Sequence, residues 1–328
     1  MKLVTYLRAA EAGVQQRTGA LLDADVIDLA RAAGAAGAGE VPTDMLELLR
    51  GGERTMEAAR AALAFAGERG AEDFEGDPIC LPASAVQLCA PLPRPNSLRD
   101  YFLVKEHVQG GVEKGYIAEI PEAWYEMPVC WKGNPDEVYG PDDVVPWPLY
   151  TDQMDYELEI AAVIGEPGRR ISEADAPRHI AGYTIFNDWS ARDIQKREMS
   201  VGIGVSNSKD FATSIGPCIA TPEEFDRDNA HLETRIDGEV WSTGTLGAMQ
   251  FSFEQVIEWT SQEQTLHPGD LLASGTVGKG CGLELDRFLT EGCTVEIEAE
   301  GIGLLRNVLS TKGAGPRRAE APAPSREG

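Results

Sequence analysis

The pattern of apolar and polar positions divides the chain into two regimes. Residues 2–7 alternate as a strand does, and residues 19–28 (GALLDADVID) read as a second strand running into a turn. Asp44 is placed to cap a helix over residues 45–50, which Gly51 and Gly52 stop. A second, alanine-rich helical pattern covers residues 55–66. Five prolines, Pro78, Pro82, Pro91, Pro93 and Pro95, then punctuate the chain and set a boundary near residue 90. Beyond it the pattern is mainly β, with short apolar runs at 157–164, 180–187, 218–220, 232–236, 270–274 and 294–302. Turn signals separate them, including an Asp237-Gly238 hairpin between ETRI and EVWS. One helix is expected over residues 253–262. The regular βα alternation of a doubly wound sheet is missing, which favours a mixed, mainly β catalytic domain over residues 91–312. Residues 313–328 are almost free of apolar side chains and predict a disordered tail.

Composition narrows the function. The 328 residues hold 29 Lys and Arg against 54 Asp and Glu, a net charge of −25. That balance excludes nucleic acid and anionic membrane surfaces as partners, since both need a positive face. A small anionic substrate needs only a local cation. Six cysteines, Cys80, Cys89, Cys130, Cys218, Cys281 and Cys293, form no CxxC pair. No signal peptide or membrane span is visible, so a reducing cytoplasm with free thiols is expected.

The candidate chemistry sits in five segments. In Asp155-Tyr156-Glu157-Leu158-Glu159-Ile160, a two-residue period puts three acids on one face. That face is either wet, or covered and occupied by a cation. Glu157 and Glu159 would lie about 6.6 Å apart along a strand. If buried, they would repel by ~2.5 kcal/mol at an effective dielectric of ~20. The AAVIG continuation is apolar on both faces and favours burial. A hard ion such as Mg²⁺ or Mn²⁺ suits such oxygens. Asp188 follows an apolar run and can present a carboxylate at a sheet edge or cap a helix starting at Trp189. Arg192 and Gln195 lie three apart on that helix. Ser97 and Asp100 have capping-box spacing for a helix over the stretch that ends at Gly110 and Gly111. Asp100 and His107, two turns apart, would share its face, and His107 is the best-placed general base of four histidines. Lys209 follows a glycine-rich stretch. The loop from Ser274 to Gly280 is glycine-rich but lacks the hydroxyl residue a Walker loop needs after Lys279, which excludes that mode of nucleotide binding.

In this order, RDYFLVKEH, DYELEIAAVIG, NDWSARDIQ, SKDFATSIGP and HPGDLLASGTVGKG resemble the fumarylacetoacetate hydrolase family over residues 86–310. The resemblance implies an α+β fold, a mainly β mixed-sheet roll, usually a homodimer, with residues 1–90 similar to a small N-terminal domain. It implies a divalent ion, Mg²⁺ or Mn²⁺ with Ca²⁺ as a further option, on Glu157, Glu159, Asp188 and Asp100. It makes His107 the base, Glu284 the group that orients it, and Lys209 the stabiliser of carbonyl charge. Arg192, Gln195 and Thr276 would hold substrate, and Thr213 follows Lys209 at the family's spacing. The loop after Thr276 is shorter than in the founding enzyme, so the match at Glu284 spans a gap. The expected reaction is metal-dependent hydrolysis of a C–C bond in a β-diketo acid, an acylpyruvate or fumarylpyruvate-like acid of aromatic catabolism. A decarboxylase, hydratase or keto–enol isomerase is the alternative. A purely structural acidic protein would show no stabilisation by Mg²⁺ or Mn²⁺.

Overall fold

A computed structural model describes residues 1–10, 13–69 and 73–320. The fold is a sheet-rich α+β arrangement of two principal sheets. The larger has twelve strands. Its main path runs Cys80–Pro82, Asp25–Asp28, Gly13–Leu22, Lys2–Ala10, Thr213–Ala220, Ile180–Asp188, Glu159–Ile164, Asp270–Ala273, Ser97–Tyr101 and Cys130–Gly133. It is mixed, because Ser97–Tyr101 runs parallel to Asp270–Ala273 while most neighbours are antiparallel. The second sheet has five strands, in the order Val144–Trp147, Gly303–Lys312, Thr294–Ala299, Leu232–Ile236 and Glu239–Gly244.

The central strands are apolar on both faces because both faces are covered. One face packs on helices α1 (Leu29–Ala36), α2 (Met45–Arg50) and α3 (Gly52–Arg69), joining Ala161, Val163, Phe186, Ile215 and Leu271 to Leu29, Leu48 and Ala59. The other carries Ile160, Ala162, Ile185 and Leu272 into a core shared with Val295, Ile297 and Leu305 of the second sheet. Asp44 caps α2 as expected, accepting from the Glu47 N–H at 3.0 Å. Asp28 caps α1 and is fully buried. It also accepts from Tyr6 Oη at 2.7 Å, from Arg17 through two nitrogens and from Arg31 Nη1 at 3.1 Å.

Several local expectations change. Residues 19–28 hold parts of two strands, reversed at Asp23, whose φ is 52°. Strand pairing also crosses the boundary near residue 90: Lys2 and Leu3 pair with Ala220 and Ile219, so the first strands extend the central sheet. The helix expected after Ser97 is a strand followed by α4 (Lys105–Glu113). Ser97 does not cap; its hydroxyl donates to Asp270 Oδ1 at 2.6 Å, fixing the parallel pair. Residues 313–320 are mostly exposed but tethered to the domain: Arg317 N–H donates to Val144 O at 3.2 Å, and Arg318 lies over the Tyr139 ring at 4.1 Å and reaches Asp143 at 3.1 Å. The rest of the expected tail, 321–328, lies outside the described residues. All six cysteines are free. Among the described residues no helix is long and apolar enough to cross a membrane.

Candidate active site

Register assembles the site. Glu159 begins its strand and pairs with Phe186, so Asp188 lies two residues on, beside Glu157. Ala161 pairs with Ala273, which brings Gly275 and Thr276 to the same edge. Asp100 pairs with Ala273 from the parallel side. Four strands separated in sequence therefore deliver Asp100, Glu157, Glu159, Asp188 and Thr276 to one end of the sheet. They line a cavity of about 380 Å³ together with His107, Gln195 and Lys209.

The acids outnumber the cations. Asp155, Glu157, Glu159 and Asp188 are buried and Asp100 is partly buried, against Arg192 and Lys209. Lys209 Nζ donates to Glu157 Oε2 at 2.5 Å and to Asp188 Oδ2. Arg192 Nη2 donates to Glu157 Oε1 at 2.8 Å. Burial alone would raise the pKa of Glu157, but these two cations hold it far below the usual range. Glu159 and Asp188 are pushed well above theirs, first by burial and then by neighbouring carboxylates. Asp100 is pushed to about 6, mainly by burial. Glu159 accepts from Gly275 N at 3.1 Å and Thr276 Oγ1 at 3.2 Å. Gly275 has a φ of 77°, and a Cβ there would lie 2.2 Å from Tyr101 O, so only glycine brings that N–H in.

This donor set fits a divalent ion. Oxygens of Asp100, Glu157 and Glu159 lie within 4.8 Å of one another. The Oδ1 atoms of Asp100 and Asp188 are buried without a hydrogen-bond partner. An unmatched buried carboxylate oxygen is costly, and an all-oxygen cluster suits a hard cation.

A second constellation adjoins the first. His107, on α4, places Nδ1 2.9 Å from Glu284 Oε2, with Nε2 3.8 Å from Glu157 Oε1. Glu284 sits on the short helix Gly282–Leu285 and accepts from Lys279 N at 3.1 Å and Cys281 Sγ at 3.2 Å. Gly110, one turn after His107, allows this approach: a Cβ there would lie 2.9 Å from Glu284 Cγ. Burial would raise the pKa of Glu284, but its bond to His107 brings it below the ordinary value. A carboxylate accepting from Nδ1–H fixes the tautomer that leaves a lone pair on Nε2.

Three placements differ from expectation. Asp100 is on a strand and His107 on a helix, so they do not share a helical face; the turn between them brings both to the cavity. Asp188 is no helix cap: it ends its strand and binds Lys209, while α5 (Arg192–Met199) starts later. Arg192 does not line the cavity. It is buried, with Nε on Asp155 at 2.7 Å, Nη1 on Gln195 at 2.9 Å and Nη2 on Glu157. Its charge is spent on positioning Glu157. Thr213 pairs with Asp188 across the sheet. Trp131 lines the cavity, whereas Trp124 and Trp147 are buried.

Asp155 and Cys281 were not singled out by sequence. Asp155 accepts from Gly282 N at 2.7 Å and Leu283 N at 2.9 Å, tying the Glu284 helix to Arg192. Its only sequence signal is its place two residues before Glu157, on the same face. Cys281 had none.

The model of the fumarylacetoacetate (FAA) hydrolase C-terminal domain matches residues 104–310. The chain is 34% identical over 274 residues to oxaloacetate tautomerase YisK of Bacillus subtilis, covering 82% of this chain and 87% of that protein. It is 31% identical over 269 residues to human mitochondrial oxaloacetate tautomerase FAHD2A, covering 81% and 80%. A maleylpyruvate hydrolase of Sphingobium sp. SYK-6, solved with manganese(II) and pyruvate, superposes with a TM-score of 0.69 at 20% identity, over 96% of this chain and 100% of that one. That structure shares the fold. The domain match and the curated relatives, each aligned over four-fifths of the chain, place it in the fumarylacetoacetate hydrolase family.

Proposed function

We propose that the chain is a divalent-metal-dependent keto–enol tautomerase of a small 2-oxo diacid of the oxaloacetate type. The observation that carries this reading is the His107–Glu284 pair, whose free Nε2 faces Glu157 at 3.8 Å, at the edge of the carboxylate cluster. A base so placed addresses the carbon next to a 2-oxo group held at that cluster. The curated relatives, oxaloacetate tautomerases by name, favour proton transfer over C–C cleavage.

Asp100, Glu157, Glu159 and Asp188 would hold the ion, Mg²⁺ or Mn²⁺. When bound, it supplies a Lewis acid that lowers the cost of enolate charge. Lys209 is held above its ordinary pKa by Asp188 and Glu157, which outweigh its burial. It therefore stays an ammonium and offers charge rather than a proton. Gln195 and Thr276 line the cavity and orient the substrate. His107 Nε2 removes the proton from C3, and Glu284 stabilises the resulting imidazolium through Nδ1–H. The same nitrogen returns the proton to the enol oxygen.

Hydrolysis of an acylpyruvate, which the sequence put first, is the second reading. It is favoured by the apolar wall of Val129, Met199 and Ile203, which has room for an acyl chain. There His107 would deprotonate water instead.

Metal-stripped protein is assayed for oxaloacetate ketonisation and for pyruvate release from acetylpyruvate, with and without Mg²⁺ or Mn²⁺. Tautomerisation that needs metal and falls ~10²–10⁴-fold in H107A supports the proposal. Faster pyruvate release from acetylpyruvate transfers it to the hydrolase, and no acceleration of either reaction overturns both.

A further inference from the structure

The His107–Glu284 pair has a third member of different chemistry. Cys281 is fully buried, and its Sγ lies 3.2 Å from the same Glu284 oxygen that meets His107 Nδ1. One ligand atom each from His107, Cys281 and Glu284 lies within 4.8 Å of the others. We propose that these three residues form a second, inhibitory metal site for a soft or borderline cation such as Zn²⁺, next to the hard oxygen site.

The donor set is thiolate, imidazole and carboxylate, the combination zinc prefers. Tetrahedral zinc at its usual bond lengths separates such atoms by about 3.3–3.6 Å. The contacts to Glu284, 2.9 and 3.2 Å, need to open by only a few tenths of an ångström, and the Cys281 and His107 atoms lie within 4.8 Å of each other. Of the three residues His107 lines the cavity, and an ion would approach from its side. The all-oxygen cluster beside it selects for hardness, so the two sites sort metals by ligand type.

Inhibition follows from the proton count. In the resting pair Nδ1–H donates to Glu284 and Nε2 holds the lone pair. A metal on Nδ1 takes that nitrogen's lone pair, so the ring proton moves to Nε2 and the base is lost. The Cys281 thiol proton leaves to solvent, one for each ion bound. The ion's two charges are then balanced by the thiolate and Glu284, with no redox change.

The test uses the full chain saturated with Mg²⁺. Cd²⁺ is titrated as a spectroscopic probe, because a thiolate bound to cadmium absorbs in the near ultraviolet, and Zn²⁺ is titrated against activity. The expected result is one absorbing site per chain, lost in C281S and kept in C130S. That control matters because Cys130 is exposed and also lines the cavity. H107Q, which keeps the thiol, should weaken cadmium binding roughly tenfold or more, a scale that even outer-shell partners of metals reach. Zinc inhibition, scored against each variant's own zinc-free rate, should weaken by a similar factor in C281S. Absorption that survives C281S, no thiolate absorption at one equivalent, or equal zinc inhibition with and without the thiol overturns the site. The cadmium readout needs no turnover, so it stands apart from the tautomerase assay.

Discussion

Two buried charge clusters lie in the large sheet, and they are built to opposite rules. Around Asp28, one carboxylate meets two arginines, a tyrosine and a helix N-terminus, and both its oxygens are engaged. Its pKa is lowered: burial opposes this, but Arg17 and Tyr6 prevail. Around Glu157, five acids share two cations, and two buried carboxylate oxygens have no partner. The first cluster is complete within the fold. The second leaves carboxylate oxygens unmatched, the arrangement that a bound cation would complete.

The sharpest way to break the contrast is to neutralise one acid in each cluster. E159Q removes a proposed metal ligand, and its activity should fall ~10³-fold, the several kcal/mol a Lewis acid contributes. The metal-free variant should melt no lower than the metal-free parent, because a repelled carboxylate has been removed. The rise in Tm that Mg²⁺ or Mn²⁺ gives the parent should shrink or vanish. Calorimetry with and without chelator measures both. A large loss of stability in metal-free E159Q would show that the acids are structural.

D28N should do the reverse. Half-buried Arg17 would lose its carboxylate partner while Arg31 kept only Asp77, at a cost of about 3 kcal/mol. Metal-induced stabilisation should persist, and activity per folded molecule should hold at low temperature. Urea unfolding checks the first effect and titration with Mn²⁺ the second. If the destabilisation is below about 1 kcal/mol, the Asp28 cluster is solvated and the comparison fails.

How much of this was legible depends on how far each residue's partner lies along the chain. Glu157 and Glu159 stood out because their two-residue period runs into a strand apolar on both faces, His107 as the best placed of four histidines, and Lys209 through the family resemblance. Asp100 was visible as an acid but was put on a helix. Ser97 and Asp100 have a local capping pattern, while the partner that makes the stretch a strand, Asp270, is 173 residues from Ser97. Arg192 was visible as a cation, but only the fold shows that Asp155, Gln195 and Glu157 engage each of its three guanidinium nitrogens. The pairing of Lys2 with Ala220 is likewise non-local. Residues 313–320 read as disordered because composition does not reveal that Arg318 has an aromatic face to cover.

The raised acids of the second cluster, Asp100, Glu159 and Asp188, should answer pH with the opposite sign to Asp28. Asp28 is depressed, so its contribution is present above its unfolded pKa near 3.8 and is lost as pH falls through the lower folded value. Asp100 is raised from 3.8 to about 6. Between those values its folded form binds more protons than its unfolded form, so metal-free stability should fall as pH rises from 3.8 to 6. Saturating Mg²⁺ should remove that fall, because the ion favours the ionised form. Thermal melts across pH 3 to 7 in chelator and in Mg²⁺ check both slopes. A fall that persists in Mg²⁺, and disappears in D100N, would detach Asp100 from the metal cluster.

The smallest effect tests whether the carboxylates are positioned as well as charged. Thr276 Oγ1 donates to Glu159 Oε1 at 3.2 Å, and Gly275 N holds the other oxygen. T276V keeps the shape and deletes one donor, worth about 1 kcal/mol net. If Thr276 acts only by aiming Glu159, its loss should weaken metal affinity by ~5-fold and leave kcat at saturating metal almost unchanged. Because Thr276 also lines the cavity, a direct contact with substrate would appear differently, as a changed KM or kcat once the metal is saturating. Steady-state kinetics across a metal titration separates the two. T276S, which restores the hydroxyl, should recover the affinity in the first case. Together the variants show whether the hydroxyl serves the carboxylate, the substrate or both.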